Sequence, residues 1–161
     1  MPIRRSQPLE MPEFEEIWLV RALLNVNVLI ALLDPDHTSH DVAMSWFSRH
    51  ARAGWASCPI TQNGCLRIMS NASYPNALAI QAVMNRLAEA CAEDVHKFWP
   101  DDVSLLDQEV IDPTRIHGPR QLTDIYLLAL AVQHEGRFVT FDGKIPLTAV
   151  RRAQAHNLVV L

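Results

Sequence analysis

The sequence predicts an α/β domain in which a central parallel β-sheet is flanked by helices on both faces. Short apolar segments alternate with longer segments of helical periodicity, which is the pattern of parallel sheets with crossover helices. The length of 161 residues fits one domain, and 49% of the residues are hydrophobic against 20% charged. That composition supplies enough apolar material for a core and excludes wholesale disorder.

Five short segments are predicted strands. The first, residues 22–24, is a continuous apolar run, as expected for a strand that is buried on both faces of a parallel sheet. The last two are indicated by their β-propensity. The four ranges that follow the first strand are 54–58, 96–99, 137–141 and 158–161.

Five helices are predicted between these strands. Residues 26–33 end at Asp34, which precedes a proline, and the third helix begins at Pro59, a residue favoured at the first helical position. Residues 120–134 are apolar on almost every side, which predicts a buried helix, and Gly136 is its predicted C-terminal stop. The other helical ranges are 37–52, 59–69 and 77–93.

The chain divides into an extension and a folded domain. Residues 1–20 mix prolines with charges and have no clean period, so we expect a loosely held extension before a domain at 21–161. The longest apolar run, 125–132, is far shorter than the roughly 20 residues of a membrane-spanning helix. Acidic residues follow the N-terminal arginines where a signal peptide needs an apolar stretch. We therefore expect a cytoplasmic protein without a membrane span.

Charge, cysteine and glycine counts exclude several function classes. The 14 Lys and Arg against 18 Asp and Glu give a net charge of −4, which argues against nucleic-acid binding by bulk charge but leaves a metal-assisted nuclease open. Three cysteines without CxxC spacing indicate buried free thiols instead of a disulfide framework or a zinc site. Neither GxGxxG nor the Walker pattern occurs among the five glycines.

Polar residues at strand ends form the candidate site, because ligands of open α/β sheets bind beyond the carboxyl ends of the strands. Asn25 follows the first strand and Asp142 follows the fourth, where Thr140 points to the same side. Asp124 is the one acid entering an otherwise apolar helix. Two alternatives stay open: Asp124 as a helix N-terminal charge and Asp142 as a turn residue. Together the two carboxylates indicate a site for a hard cation, Mg²⁺ or Mn²⁺.

The segments around these residues resemble the PIN-domain ribonucleases of the VapC toxin type. Each segment is a weak match by itself, but the four occur in the order and spacing of the family and cover about residues 21–161. They are LLNVNVLIAL at 23–32, followed by Asp34, Pro35, Asp36, His37 and His40, then TQNGCLR at 61–67, RQLTDIYLLALA at 120–131 and VTFD at 139–142.

The resemblance implies a metal-dependent endoribonuclease that acts as the toxin of a toxin–antitoxin pair. Its implied cofactor is Mg²⁺ or Mn²⁺, and its implied partners are a cognate antitoxin, an RNA substrate and a second copy of the chain. The four family acids fall on Asn25, Gln62, Asp124 and Asp142, and Thr140 matches a hydroxyl that supports the last acid. The implied metal ligands are the first, third and fourth of these positions. Arg67 and Arg120 are implied to lie near the groove, where guanidinium suits phosphate.

Two of the four positions depart from the family pattern. Asn25 and Gln62 are amides, which keep the shape and one acceptor oxygen of an acid but remove its charge. The site therefore presents two negative charges where the family has four, and lower charge weakens the binding of hard cations. We expect a weakened or inactive nuclease. The alternatives are a non-catalytic module that binds antitoxin or RNA without cleavage, and a phosphatase, which Asn25 disfavours because it lacks a nucleophilic carboxylate.

Other candidate residues have simpler interpretations. His37 and His40 are expected at a helix start more than in a metal site, and both arginines could form surface salt bridges.

Aromatic side chains of the second helix have a packing interpretation. Val42, Trp46 and Phe47 recur at helical spacing and predict one apolar face. With Trp55 they indicate core or dimer packing more than base stacking, because no basic residues interleave with them. This face, or that of residues 77–93, could supply a dimer surface unless both belong to the core.

The charge deficit gives a first testable prediction. Replacing Asn25→Asp adds a carboxylate at the centre of the cluster and should strengthen Mn²⁺ binding, because charge count sets the affinity for hard cations. Isothermal titration of both proteins with MnCl₂ measures this. An unchanged isotherm would contradict the assignment of position 25 to the metal site.

Overall fold

The structure, a computed structural model, describes residues 20–161 of the chain. The predicted extension lies outside the described residues except for Val20. Five strands form one all-parallel sheet in the order β3-β2-β1-β4-β5, as the sequence predicts for the class of fold. The strands are β1 (Ala22–Leu24), β2 (Trp55–Ser57), β3 (His96–Phe98), β4 (Arg137–Thr140) and β5 (Leu158–Val160).

Helices cover both faces of the sheet, which confirms the predicted three-layer arrangement. α5 packs on one face through a core cluster that includes Leu23 and Phe138. α1 to α4 pack on the other face against the neighbouring positions Leu24 and Val139, as the alternation of side chains along a strand requires. The helices are α1 (Val26–Leu33), α2 (His40–His50), α3 (Pro59–Met69), α4 (Ile80–Cys91) and α5 (Leu122–Gln133).

The order of the strands places a crevice at the centre of the sheet. The chain builds outward from β1 to β2 and β3, then returns to the other side of β1 with β4 and β5. The crossover connections after β1 and β4 therefore diverge, and the edge beyond the carboxyl ends of these two strands is the topological switch point. Asn25 and Thr140 lie at this edge, since the backbone N–H of Asn25 donates to Val139 O at 2.9 Å.

Local chemistry accounts for where α1 and α3 begin. Asn25 is the N-cap of α1, and its side-chain oxygen accepts a hydrogen bond from the Val26 N–H at 2.8 Å. Pro59 is the first residue of α3, as predicted, and the Thr61 hydroxyl accepts from the Cys58 N–H at 2.9 Å. A single N-cap residue thus separates each helix from the strand before it. Both predicted start points are confirmed.

The predicted apolar face of α2 is wrong by one position. Trp46 is buried, but Val42 is 52% exposed and Ala43 is buried in its place. An α-helix turns by about 100° per residue, so the mean direction of the Ala43, Trp46 and Phe47 side chains lies about 90° around the helix from that of Val42. Val42 therefore lies at the margin of the buried face, because the rings of Trp46 and Phe47 set the rotation of the helix.

The end of α5 also differs from the prediction. The helix is buried from Ile125 to Ala131, as predicted. The left-handed residue after it is Glu135, with φ 53°, and not the predicted Gly136. Glu135 N–H donates to Val132 O at 3.0 Å and Gly136 N–H donates to Ala131 O at 2.7 Å, the two bonds of a Schellman cap.

Gly136 is required for a close tertiary approach instead. A Cβ at this position would lie 2.7 Å from the Trp99 ring and 2.8 Å from the Arg21 carbonyl oxygen.

The three cysteines are free thiols, as predicted. Cys58 and Cys65 are buried and Cys91 is half-buried. Burial raises the pKa of the Cys65 thiol to about 12, so this group stays protonated and packs as an apolar side chain. Within residues 20–161, no helix has the length and apolar character to cross a membrane.

The close approach at Gly136 gives a stability prediction. Gly136→Ala should lower the free energy of unfolding by about 1–3 kcal/mol, because the Arg21 carbonyl is backbone and cannot yield to the new methyl group. Gly118→Ala is the matched control, since Gly118 is extended and a Cβ there meets no atom within 4 Å. Urea unfolding of both variants measures the difference. Equal stabilities would contradict the packing argument.

Candidate active site

The structure brings four of the predicted site residues together at the switch point. Asn25 follows β1, Thr140 ends β4 and Asp142 lies two residues further. Asp124 lies in the first turn of α5, the helix that covers one face of the sheet. Three elements therefore place the four side chains: Asn25 by β1, Thr140 and Asp142 by β4, and Asp124 by α5.

The Asn25 amide is a hydrogen-bond donor toward the site. Its nitrogen donates to Thr140 Oγ1 at 2.9 Å and lies 3.4 Å from Asp124 Oδ1. Its oxygen accepts from the Val26 N–H. Because a backbone N–H can only donate, this contact fixes the orientation of the amide. The side chain, 8% exposed, presents N–H groups to Asp124 where the family acid would present oxygens.

The Thr140 hydroxyl is the centre of a hydrogen-bond network. It is fully buried and accepts from Asn25 and from the Asp142 N–H at 3.0 Å. Asn27 also lies near it, with its nitrogen 3.4 Å from Thr140 Oγ1 and its oxygen 3.4 Å from the Phe141 N–H. Sequence reasoning missed Asn27, although it is the one polar residue of α1 and that isolation was an available signal.

The carboxyl groups of Asp124 and Asp142 interact directly. Asp124 is half-buried and Asp142 is exposed. Burial and then repulsion by Asp142 raise the pKa of Asp124, and a hydrogen bond shared with the Asp142 carboxyl raises it further, while the Asn25 donor opposes these effects. The Lys144 N–H donates to Asp142 Oδ1 at 2.8 Å and fixes that carboxylate. Asp124 and Asp142 thus place two carboxyl groups side by side at this edge of the sheet.

Gln62 belongs to a separate cluster beside this pair. Its nitrogen donates to Ser57 Oγ at 2.9 Å, and Ser57 Oγ lies 2.8 Å from His96 Nε2. His96 Nδ1 in turn lies 3.0 Å from the Cys91 carbonyl oxygen. Through Ser57, Gln62 therefore ties the start of α3 to the end of β2 and to the start of β3.

The two predicted phosphate-contacting arginines are exposed. In the part of the chain that the structure describes, neither Arg67 nor Arg120 forms an ion pair, so the salt-bridge alternative is not realised there. Arg67 lines a surface cleft near Tyr74, and Arg120 lies in a short 3₁₀ turn before α5. Both guanidinium groups remain available to a ligand.

The two histidines have local roles. His37 Nδ1 accepts from the Ser39 N–H at 3.0 Å, and His40, the first residue of α2, has its Nδ1 2.7 Å from the Ala31 carbonyl oxygen. No group of three or more His, Cys, Asp or Glu residues suited to a metal ion occurs between residues 20 and 161.

The donor set at the switch point fits a weakly held Mg²⁺ or Mn²⁺. Such ions bind through one or two carboxylates and complete their shell with water and substrate phosphate. Asp124 and Asp142 meet that requirement, and a cation between them would relieve the repulsion that raises the pKa of Asp124. Asn25 in its present orientation adds no oxygen, because that oxygen is bonded to Val26.

Curated relatives place the chain in a family. Ribonuclease VapC44 of Mycobacterium tuberculosis is 51% identical over 142 residues, which is 88% of this chain and 100% of that protein. The chain belongs to the VapC ribonuclease family. Ribonuclease VapC39 of the same organism is 42% identical over 125 residues, which covers 77% of this VapC chain and 90% of the relative. No family model matches the sequence.

Solved structures agree with the VapC fold. VapBC2 from Rickettsia felis, bound to a DNA fragment from its promoter, superposes with a TM-score of 0.54 at 12% identity over 88% of this chain and 97% of that one. The sarcin-ricin loop cleaving toxin VapC20 of M. tuberculosis superposes with a TM-score of 0.53 at 14% identity, over 76% of this chain and 91% of that one. These likenesses confirm the predicted PIN-like fold.

The carboxylate pair gives a prediction about pH. Because burial and Asp142 raise the pKa of Asp124 in the folded state, protonated Asp124 favours folding, and that contribution is lost as pH rises through the folded-state pKa. Asp142→Asn removes the repulsion, so the pKa of Asp124 should fall. The free energy of unfolding of Asp142→Asn, taken relative to that of the wild type, should therefore be higher at pH 7 than at pH 3.

Carboxyl NMR titration of Asp124 and urea unfolding at the two pH values measure these effects. Asp94→Asn, which replaces an exposed acid between α4 and β3, is the control. A pKa of Asp124 that is the same in the wild type and Asp142→Asn would show that the two carboxyl groups are not coupled.

Proposed function

We propose that this VapC protein is an endoribonuclease, the toxin of a VapBC-type toxin–antitoxin pair, with Mg²⁺ or Mn²⁺ as cofactor and reduced activity. The proximity of Asp142 to Asp124 at the switch point, which raises the pKa of Asp124, carries the proposal. The 51% identity to a protein named Ribonuclease VapC44 supports the reaction class.

Each residue of the site has a proposed role. When bound, the divalent ion would lower the pKa of the attacking water and neutralise charge that develops on the phosphate. Asp124 and Asp142 hold the ion, and Thr140 positions Asp142 through its backbone N–H. Asn25 orients the Asp124 carboxylate by hydrogen bonding. Arg67 and Arg120, both exposed, contact phosphates of the RNA.

Reduced activity follows from the direction of the Asn25 amide. Its N–H group takes one lone pair of the Asp124 carboxylate, and its oxygen is bonded to Val26. Gln62 bonds to Ser57 and adds no charge. The site therefore offers two charged ligands in place of the four acids of the family pattern, which lowers metal affinity and the activity that depends on it.

A non-catalytic binding module is the second candidate function. The same observation favours it, because a donor at position 25 stabilises the Asp124–Asp142 pair without a metal ion. Such a module would keep the fold for binding antitoxin or RNA and would cut neither.

Partners and compartment complete the proposal. A VapB-type antitoxin is supported by the likeness to a VapBC2 structure, and a reducing cytoplasm is consistent with three free thiols. For a homodimer we propose the exposed apolar face of α4, which carries Ile80 and Met84. Sedimentation equilibrium of Met84→Glu tests that surface, since a charge there should favour the monomer.

The test of the function is cleavage of a panel of structured RNAs with MgCl₂ or MnCl₂. Asn25→Asp should cut roughly tenfold faster or more than the wild type, a change of about 1.4 kcal/mol in the barrier. Asn25→Asp combined with Asp142→Asn should lose that gain, because its site again holds two carboxylates.

Asn27→Asp is the matched control, since it adds the same charge at a position that faces Thr140 and Phe141 instead of Asp124. An equal gain in Asn27→Asp would mean that charge alone is responsible. If no variant cuts with either metal, the ribonuclease proposal fails and the binding module is favoured.

A further inference from the structure

A cleft leads from the active site across the protein surface to the connection between α3 and α4. Its first part, about 330 Å³, is lined by Asn25, Asn27 and His37 beside apolar side chains. Its second part, about 240 Å³, is lined by Arg67 and the start of the connection. Ile68 and Tyr74 line both parts, so the Tyr74 side chain lies between them. We call this surface the Tyr74 cleft.

The Tyr74 ring is held in place from below. Its hydroxyl donates to Asp34 Oδ2, which also accepts from Asn76 Nδ2 at 2.9 Å, and Asp34 Oδ1 accepts from the Asp36 N–H at 3.0 Å. Asp34 is 4% exposed. Burial alone would raise the pKa of Asp34, but these hydrogen bonds outweigh it and lower the pKa, so the acceptor remains ionised. An aromatic side chain fixed in this way loses little conformational entropy when a ligand binds.

The chemistry of the cleft matches a nucleotide. Tyr74 and Ile68 supply an aromatic ring and an apolar surface, and Asn27 supplies an amide. His37 Nδ1 accepts a hydrogen bond, so the neutral ring carries its proton on Nε2 and can donate to a base edge. Arg67 supplies one cation at the far end. Neither part of the cleft is lined by Asp or Glu, and the Asp34 carboxylate beneath it is covered by the Tyr74 and Asn76 side chains that donate to it.

We propose that the Tyr74 cleft binds one unstacked nucleobase of the RNA next to the phosphate that is cut, with Arg67 on a phosphate further along the strand. The base stacks on Tyr74, and His37 and Asn27 read its edge, as single-stranded RNA is commonly recognised. The volume beside Asn25, whose amide nitrogen lies 3.4 Å from Asp124 Oδ1, has room for one nucleoside. Tyr74 and His37 are then specificity-determining residues; this inference rests on the proposed function.

The test uses stacking on Tyr74 as its readout. A pool of 12-nucleotide single-stranded RNAs with central 2-aminopurine is titrated with the full chain in EDTA, which prevents metal-dependent cleavage. Binding should quench the fluorescence. Tyr74→Phe and Tyr74→Leu both lose the hydrogen bond to Asp34, but only the first keeps the ring. Tyr74→Phe should keep the quenching and lose only the affinity that comes from fixing the ring, whereas Tyr74→Leu should lose the quenching and bind about 5- to 100-fold more weakly than Tyr74→Phe.

A second variant tests the phosphate contact independently. Arg67→Gln should reduce the slope of log affinity against log salt by about 0.7, the value for one phosphate contact on a single strand.

Three results would overturn the proposal. If the wild type binds RNA and Tyr74→Leu binds it equally well, the Tyr74 cleft is not a base site, while the ribonuclease proposal stands. If Tyr74→Leu converts a dimer to a monomer at unchanged RNA affinity, the cleft is an interface between copies. If the wild type neither binds RNA in EDTA nor cuts it with Mg²⁺ or Mn²⁺, the proposed function and the cleft proposal fail together.

Discussion

The hydrogen bond from the Asn25 amide to the Thr140 hydroxyl joins the ends of the two central strands, and the rest of the site depends on it. Asn25 also begins α1, whose other end carries Asp34 beneath Tyr74. Thr140 in turn holds the backbone of Asp142. A single buried contact of 2.9 Å thus sets the positions of a helix, a strand end and a carboxylate relative to one another.

The site carries less negative charge than the family pattern implies. Two carboxylates from different elements approach closely enough for one to raise the pKa of the other, and the neighbouring group at position 25 is an amide. An amide donor stabilises a carboxylate at short range but carries no net charge for a distant cation or phosphate. The edge therefore presents two carboxylates where the family pattern has four acids.

The sequence could predict what local chemistry decides. Residues 26–33 and the start at Pro59 follow from capping and proline geometry, and the meeting of Asn25 with Thr140 follows from parallel strands. Non-local contacts decided the rest. Val42 is exposed because the rotation of α2 depends on how Trp46 and Phe47 pack. The Tyr74 cleft depends on Asp34, which lies 40 residues away from Tyr74 in the chain.

The bonds around Ser57 bear on how this protein could change over evolutionary time. The Cys91 carbonyl can only accept, so His96 carries its proton on Nδ1, and Ser57 must donate to Nε2 and can only accept from residue 62. Gln62 meets that demand, whereas an ionised glutamate would reverse the chain and require a charged His96, whose pKa burial lowers. An acid at position 62 is therefore compatible with this chain of hydrogen bonds only if residue 96 changes as well.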